Sequence, residues 1–152
     1  MEDQEEKYQH IKEILSVFNP ELVWKKSCQT GLMELMENKF DYLLLDMSMP
    51  ICEDESSKEN FDSYAGMYVL REIKRKRYDL KVIVVTGFDD FETAEKVITL
   101  DELQKEIIEK YDKYYIGYVR YDSTSVEWQH SLLNLLKLTM ISENINENTN
   151  SR

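Results

Sequence analysis

Apolar positions in this chain fall into two kinds of run whose alternation predicts the architecture. Tyr8, Ile11, Ile14, Leu15 and Phe18 share one helical face, and Pro20 closes that segment. Residues 22–28, Leu-Val-Trp-Lys-Lys-Ser-Cys, form a short apolar-rich run that reads as a strand. Leu32, Leu35 and Met36 then return to helical spacing. Tyr42-Leu43-Leu44-Leu45 and Val82-Ile83-Val84-Val85 are continuous apolar runs, as expected of strands covered on both faces. Between them Met67, Val69, Leu70 and Ile73 mark a helix behind Gly66.

From residue 91 to 111 the spacing of Ala94, Val97, Ile98, Leu103, Ile107 and Ile108 is helical, with a break near residues 99–101, where Thr99 or Asp101 could cap a new start. Residues 114–121 supply the last strand. Thr124-Ser-Val-Glu127 matches a capping box for a final helix carrying Trp128, Leu132 and Leu136. Strands and helices alternating in this way predict an α/β fold: a doubly wound parallel sheet in a three-layer αβα sandwich. One domain, residues 1–142, holds the whole pattern. Residues 51–63 are polar and predict a mobile loop, and residues 143–152, rich in Asn, Glu, Thr and Ser, predict a disordered tail.

Composition narrows the function. Thirty acidic against 19 basic side chains give a net charge of -11, a field that repels nucleic acid and anionic lipid. The one dense basic stretch, Lys74 to Arg77, lies where a helix should end and suits the carbonyl end of its dipole. Cys28 and Cys52 are far apart and lack metal-ligand spacing, so neither zinc nor a disulfide framework is indicated, and a reducing, cytoplasmic setting is expected. The acidic N-terminus is unlike a secretory leader, and no apolar run approaches membrane-spanning length. His10 and His130 read as isolated helical surface residues without a role.

In a doubly wound sheet, ligands sit at the carboxyl ends of the strands. There the sequence places Asp46, which closes the first buried strand run, and Thr86, followed by Gly87, which closes the second. An acidic pair, Glu2-Asp3, precedes the first helix. Carboxylates gathered at one point repel each other, and a hard divalent cation is the usual remedy. Leu-Leu-Leu-Asp46-Met-Ser-Met49-Pro50 resembles the phosphoacceptor segment of two-component response-regulator receiver domains, a flavodoxin-like fold with strand order 2-1-3-4-5. Glu2-Asp3, Gly66, Thr86 and Tyr118 follow that family's motifs in order, so the resemblance spans nearly the whole chain.

The resemblance implies transfer of a phosphoryl group to Asp46 from a histidine kinase or phosphotransfer protein, with Mg2+ held by Glu2, Asp3, Asp46 and the Ser48 carbonyl. It also implies Thr86 as the hydroxyl that binds the phosphoryl group and Tyr118 as the aromatic that rotates in response. A downstream protein partner is implied and homodimers are compatible, with no nucleic acid, membrane or enzymatic output. The alternative is a pseudo-receiver, a binding module that works without phosphorylation. A haloacid-type hydrolase is disfavoured because it needs a second Asp two residues after the nucleophile, where Ser48 stands.

Two departures stand out. The lysine that receivers carry near the end of the last strand is replaced by Tyr121, and the nearest cation, Arg120, points to the other face of a regular strand. The family's apolar first strand, central in the sheet, is absent or truncated, since only Met1 precedes Glu2. Either a longer natural chain supplies it, or the sheet is four-stranded and incomplete.

Overall fold

The computed structural model describes residues 1–53, 61–62, 64–92 and 97–150. Helix α1 (Glu5–Leu15) continues into a 3-10 turn, Ser16–Phe18, that ends on Asn19 in the left-handed region. Helix α2 (Cys28–Glu37) is capped by Ser27, whose hydroxyl accepts from the Thr30 amide. Strand β1 (Tyr42–Leu45) is followed by a two-residue ladder, β2 (Met49–Pro50) with β3 (Phe61–Asp62), at the two ends of the polar 51–63 segment. Most of the predicted mobile loop lies outside the described residues. Helix α3 (Ala65–Lys76), strand β4 (Lys81–Thr86), hairpin strands β5 (Asp90–Glu92) and β6 (Val97–Thr99), helix α4 (Leu100–Tyr111), strand β7 (Tyr115–Arg120) and helix α5 (Glu127–Asn150) complete the chain.

The main sheet is parallel and three-stranded, in the order β1-β4-β7, with Leu45 level with Val84 and Val84 level with Tyr118. Alternating residues of β4 feed two cores. Val82 and Val84 join Leu43 and Leu45 against α2, α3 and α4 on one face. Ile83 and Val85 join Val119, Trp128, Leu132, Ile11 and Leu15 against α1 and α5 on the other. This is the predicted three-layer sandwich, and its strands correspond to the last three of the 2-1-3-4-5 order.

Three expectations need correction. Residues 22–28 do not form a strand; residues 21–25 are irregular, and the cap of α2 begins at Ser27. A strand needs a ladder, and among the described residues no strand pairs with this segment. The Glu2 amide donates to the Lys25 carbonyl, and the Asp46 amide donates to the Met1 carbonyl. Below them lies a cavity of about 650 Å3, bordered by Leu22, Val23, Leu35, Leu43 and Leu44. Within β1 the Asp41 carbonyl faces β4, so the alternation of the backbone turns the Leu44 amide and the Tyr42 polar groups toward this cavity. The Met1 ammonium, which donates to the Leu44 carbonyl at 2.6 Å, is pushed down to about 6 by burial.

Second, within the expected helix over residues 91–111 the described residues before Leu100 belong to the antiparallel strands β5 and β6, while residues 93–96, Ala94 among them, lie outside the described residues. The break at residue 99 is real, since Thr99 caps α4 in a reciprocal capping box with Glu102. Third, α5 starts at Glu127 and continues to Asn150, through residues expected to form a tail. Thr124 does not cap it, because its hydroxyl and amide are both taken by Asp122. The Tyr42 hydroxyl, donating to Glu143 at 2.9 Å, ties the far part of the helix to the sheet.

Lys74, Arg75 and Lys76 fill the last turn of α3, where cations suit the carbonyl end of its dipole, and Lys74 donates to the Lys110 carbonyl near the end of α4. Arg77 ends the helix with φ 55, a left-handed conformation in which a side chain is strained. Arg77→Gly should therefore raise stability by about 1 kcal/mol, seen as a higher urea midpoint at unchanged slope.

Candidate functional site

Asp46 follows the last residue of β1 and is 1% exposed. Its backbone is pinned from one side by Met1, and its Oδ1 accepts from the Ser48 amide at 3.2 Å. Gly66, at the start of α3, lets that helix lie directly on this turn, and its amide donates to the Met47 carbonyl at 3.0 Å. The short Met1–Glu2 segment brings its acids to the same point, so Glu2, Asp3 and Asp46 each offer a carboxylate oxygen, all within 4.8 Å of one another. Of the residues predicted from sequence to bind metal, these three converge as expected. Ser48 is buried beside them.

Burial raises the Glu2 carboxyl above its ordinary range, and nearby Asp46 pushes the same way, while Lys7 acts against both. Burial likewise raises Asp3. The Asp3 Oδ1 atom is buried and has no hydrogen-bond partner. A buried acceptor without a donor is costly, and a divalent cation is a chemical species that would satisfy it.

Thr86 is fully buried at the end of β4, its hydroxyl accepting from the Phe88 amide at 3.3 Å. Tyr118 lies on the neighbouring strand, level with Val84 and hence on the same face as Thr86, and is 37% exposed. Arg120 turns away from the site and makes a two-pronged ion pair with Asp89, both contacts at 2.6 Å. It is not the ammonium substitute.

The residue that sequence reasoning missed is Lys7. Its side chain is 2% exposed, and its Nζ contacts Glu2 Oε2 at 2.6 Å, Asp46 Oδ2 at 2.7 Å and the Val85 carbonyl at 2.8 Å. All three ammonium protons thus have acceptors at the ends of three chain segments. The signal was present in the helical period, which puts Lys7, Ile11 and Leu15 on one buried face. A lysine in the first turn also opposes the helix dipole, so it calls for a partner. Tyr121 stands at the position where the family pattern has lysine, and its ring centroid is 5.6 Å from the Lys7 Nζ. The Tyr121 hydroxyl pairs with His10 Nδ1 at 2.7 Å, which gives His10 a structural task, and Trp128 packs edge-on against the Tyr121 ring.

Comparison with known proteins agrees with this layout. Residues 1–110 match the family described as response regulator receiver domain. The chain is 27% identical over 108 residues to the uncharacterized protein y4jR of Sinorhizobium fredii, covering 69% of this chain and 72% of that one. It is 30% identical over 98 residues to the Detocs response regulatory protein DtcB of Enterobacter cloacae, covering 62% and 65% of the two chains. Among solved structures, the signal receiver domain of a protein described as a LuxO repressor from Vibrio parahaemolyticus superposes with a TM-score of 0.64 at 14% identity, over 95% of this chain and 92% of that one. No described helix is long and apolar enough to cross a membrane.

Proposed function

The chain belongs to the response-regulator receiver family, and from that premise we propose that it is a phosphoacceptor signalling domain whose nucleophile is Asp46. The observation that carries this reading is the convergence of Asp46, Glu2 and Asp3 at the carboxyl end of β1, with one buried Asp3 oxygen left unpartnered. That donor set, all hard oxygen ligands, fits Mg2+. Glu2, Asp3, Asp46 and the Ser48 carbonyl would hold it, and when bound it would neutralise charge on a transferring phosphoryl group.

The protein's own part is to present the nucleophile. The Ser48 amide on Oδ1 and the Lys7 ammonium on Oδ2 fix the plane of the Asp46 carboxylate, so attack starts from an oriented group. The donor is the phosphohistidine of a kinase or phosphotransfer protein. Its P–N bond breaks as a P–O bond to Asp46 forms, and the electron pair stays on the imidazole nitrogen, which takes up a proton. The Thr86 hydroxyl then turns from Phe88 to the phosphoryl oxygens. Tyr118, exposed beside it, moves inward and changes the face offered to a downstream protein partner. On this reading the domain works in the cytoplasm, where such phosphohistidine donors would meet it.

Incubation with phosphoramidate and Mg2+ should label the protein once, with no label in Asp46→Asn or when chelator is added. A labelled Asp46→Asn protein, or no label on a folded wild-type protein that binds Mg2+, would remove the reading. With the metal alone, Mg2+ should raise the thermal midpoint of the wild type and have little effect on Asp3→Asn, since Asp3 carries the unpartnered oxygen.

A further inference from the structure

We propose that Lys7 supplies, from the first helix, the ammonium that receivers ordinarily bring from the end of the last strand, and that Tyr121 is the platform that holds it there. This deepens the phosphoacceptor reading of Asp46 and rests on it.

Four observations lead to this conclusion. Lysine is almost never fully buried unless paired, and Lys7 is buried with all three protons accepted, so its position is fixed by the site rather than left to solvent. It touches the reacting group itself, Asp46 Oδ2, at 2.7 Å. It leaves the Asp3 side of the cluster alone: its ion pairs go to Glu2 and Asp46, while the Asp3 oxygen stays unpartnered. Lys7 therefore takes the Glu2 and Asp46 side of the cluster and leaves the Asp3 oxygen open to a cation. Finally, the residue standing at the family's lysine position is the aromatic ring against which the Lys7 ammonium lies. The hydroxyl of that ring is held by His10 and its edge by Trp128. The last strand thus presents a ring where receivers present a lysine, and the ammonium that the ring faces comes from α1.

An ammonium on the acceptor oxygen does two things for transfer. Before reaction it holds the carboxylate in a fixed orientation. After the P–O bond forms, its flexible stem lets it follow the negative charge onto the phosphoryl oxygens, where a charge-assisted hydrogen bond is strongest. Arg120 cannot do this while it is paired with Asp89.

The test compares wild type, Lys7→Met, Lys7→Arg and the double variant Lys7→Met/Tyr121→Lys, which moves the ammonium to the last strand. Folding of each is checked by circular dichroism. Labelling by phosphoramidate is followed with Mg2+ present. Mg2+ affinity is read separately from the fluorescence of Trp24, whose indole donates to the Glu2 carbonyl at 2.6 Å. Lys7→Met should label about 100-fold more slowly, the scale of losing one preorganised charged donor. Its Mg2+ affinity should hold or tighten, because a neighbouring positive charge is gone. Lys7→Arg should remain slow, since a planar fork does not fit a site shaped for three diverging protons. The double variant should recover most of the lost rate. If folded Lys7→Met labels like the wild type, Lys7 has no part in transfer while Asp46 remains the acceptor. If Lys7→Met loses Mg2+ binding together with labelling and the relocated lysine restores neither, Lys7 only holds the fold, and the proposal fails. Should Lys7→Met not fold, the double variant and Lys7→Arg decide alone: an unrecovered rate in a folded double variant, or wild-type labelling by Lys7→Arg, overturns it.

Discussion

Gly66→Ala should destabilise the protein by about 2 kcal/mol and abolish labelling of Asp46, although alanine is the better helix former by about 1 kcal/mol. Gly66 has no left-handed backbone to protect, so the penalty is spatial. A Cβ built there would lie 2.6 Å from the Met47 Sδ and 3.0 Å from both the Asp46 carbonyl oxygen and the Met47 Cα. The sulfur of a flexible side chain can swing aside, but the backbone of residues 46–47 cannot move without taking the Asp46 carboxylate with it. That backbone is already held by the amide of Gly66 on one side and by Met1 on the other. The local gain in helix propensity is thus outweighed, and the displacement falls on the one carboxylate the site depends on. Urea denaturation gives the stability change, and phosphoramidate labelling of the folded protein gives the second effect. A variant with wild-type stability and labelling would show that α3 does not press on the turn after Asp46.

The parts of this fold that could be read from sequence are those whose burial is complete. Leu43 to Leu45 and Val82 to Val85 announce themselves as two-face-buried strands because nothing polar interrupts them, and the structure places them side by side. Asp46 and Thr86 follow as strand-end residues, and the acidic pair converges with Asp46 as the family pattern requires. The unread parts share a physical cause, in that a neighbour decided the outcome. Residues 22–25 have the side chains of a strand, but a strand is defined by its partner, and no described strand pairs with them. The stretch from residue 91 has helical spacing, yet its described residues before Leu100, 91–92 and 97–99, pair as antiparallel strands, and Thr99 starts the helix only afterwards. Read by the family pattern the acidic cluster has no ammonium, because receivers carry that lysine on the last strand and Tyr121 stands there. The same charge arrives from another element, and only the burial of the Lys7, Ile11 and Leu15 face reveals it.

Trp128→Ala should cost about 4 kcal/mol and also slow labelling, whereas Leu132→Ala, of similar thermodynamic cost, should leave the labelling rate of the folded protein unchanged. Both side chains are in the core between the sheet and helices α1 and α5, with 2% and 0% exposure. Their surroundings differ in one respect. Trp128 meets the Tyr121 ring edge-on at 5.0 Å between centroids, and Tyr121 lies against the Lys7 ammonium. Removing the indole leaves a cavity behind the platform, and a ring free to tilt no longer fixes where Lys7 stands. Removing Leu132 leaves a cavity as well, but the Trp128–Tyr121–Lys7 contacts remain. A global loss of stability would scale the labelled fraction by the folded fraction in both variants alike. Comparing the two at equal folded fraction therefore isolates the chain of contacts from the general weakening of the core. Equal labelling rates would mean that Tyr121 holds Lys7 without help from α5. A slower rate confined to Trp128→Ala would mean that the last helix, through one aromatic pair, sets the position of the ammonium on Asp46.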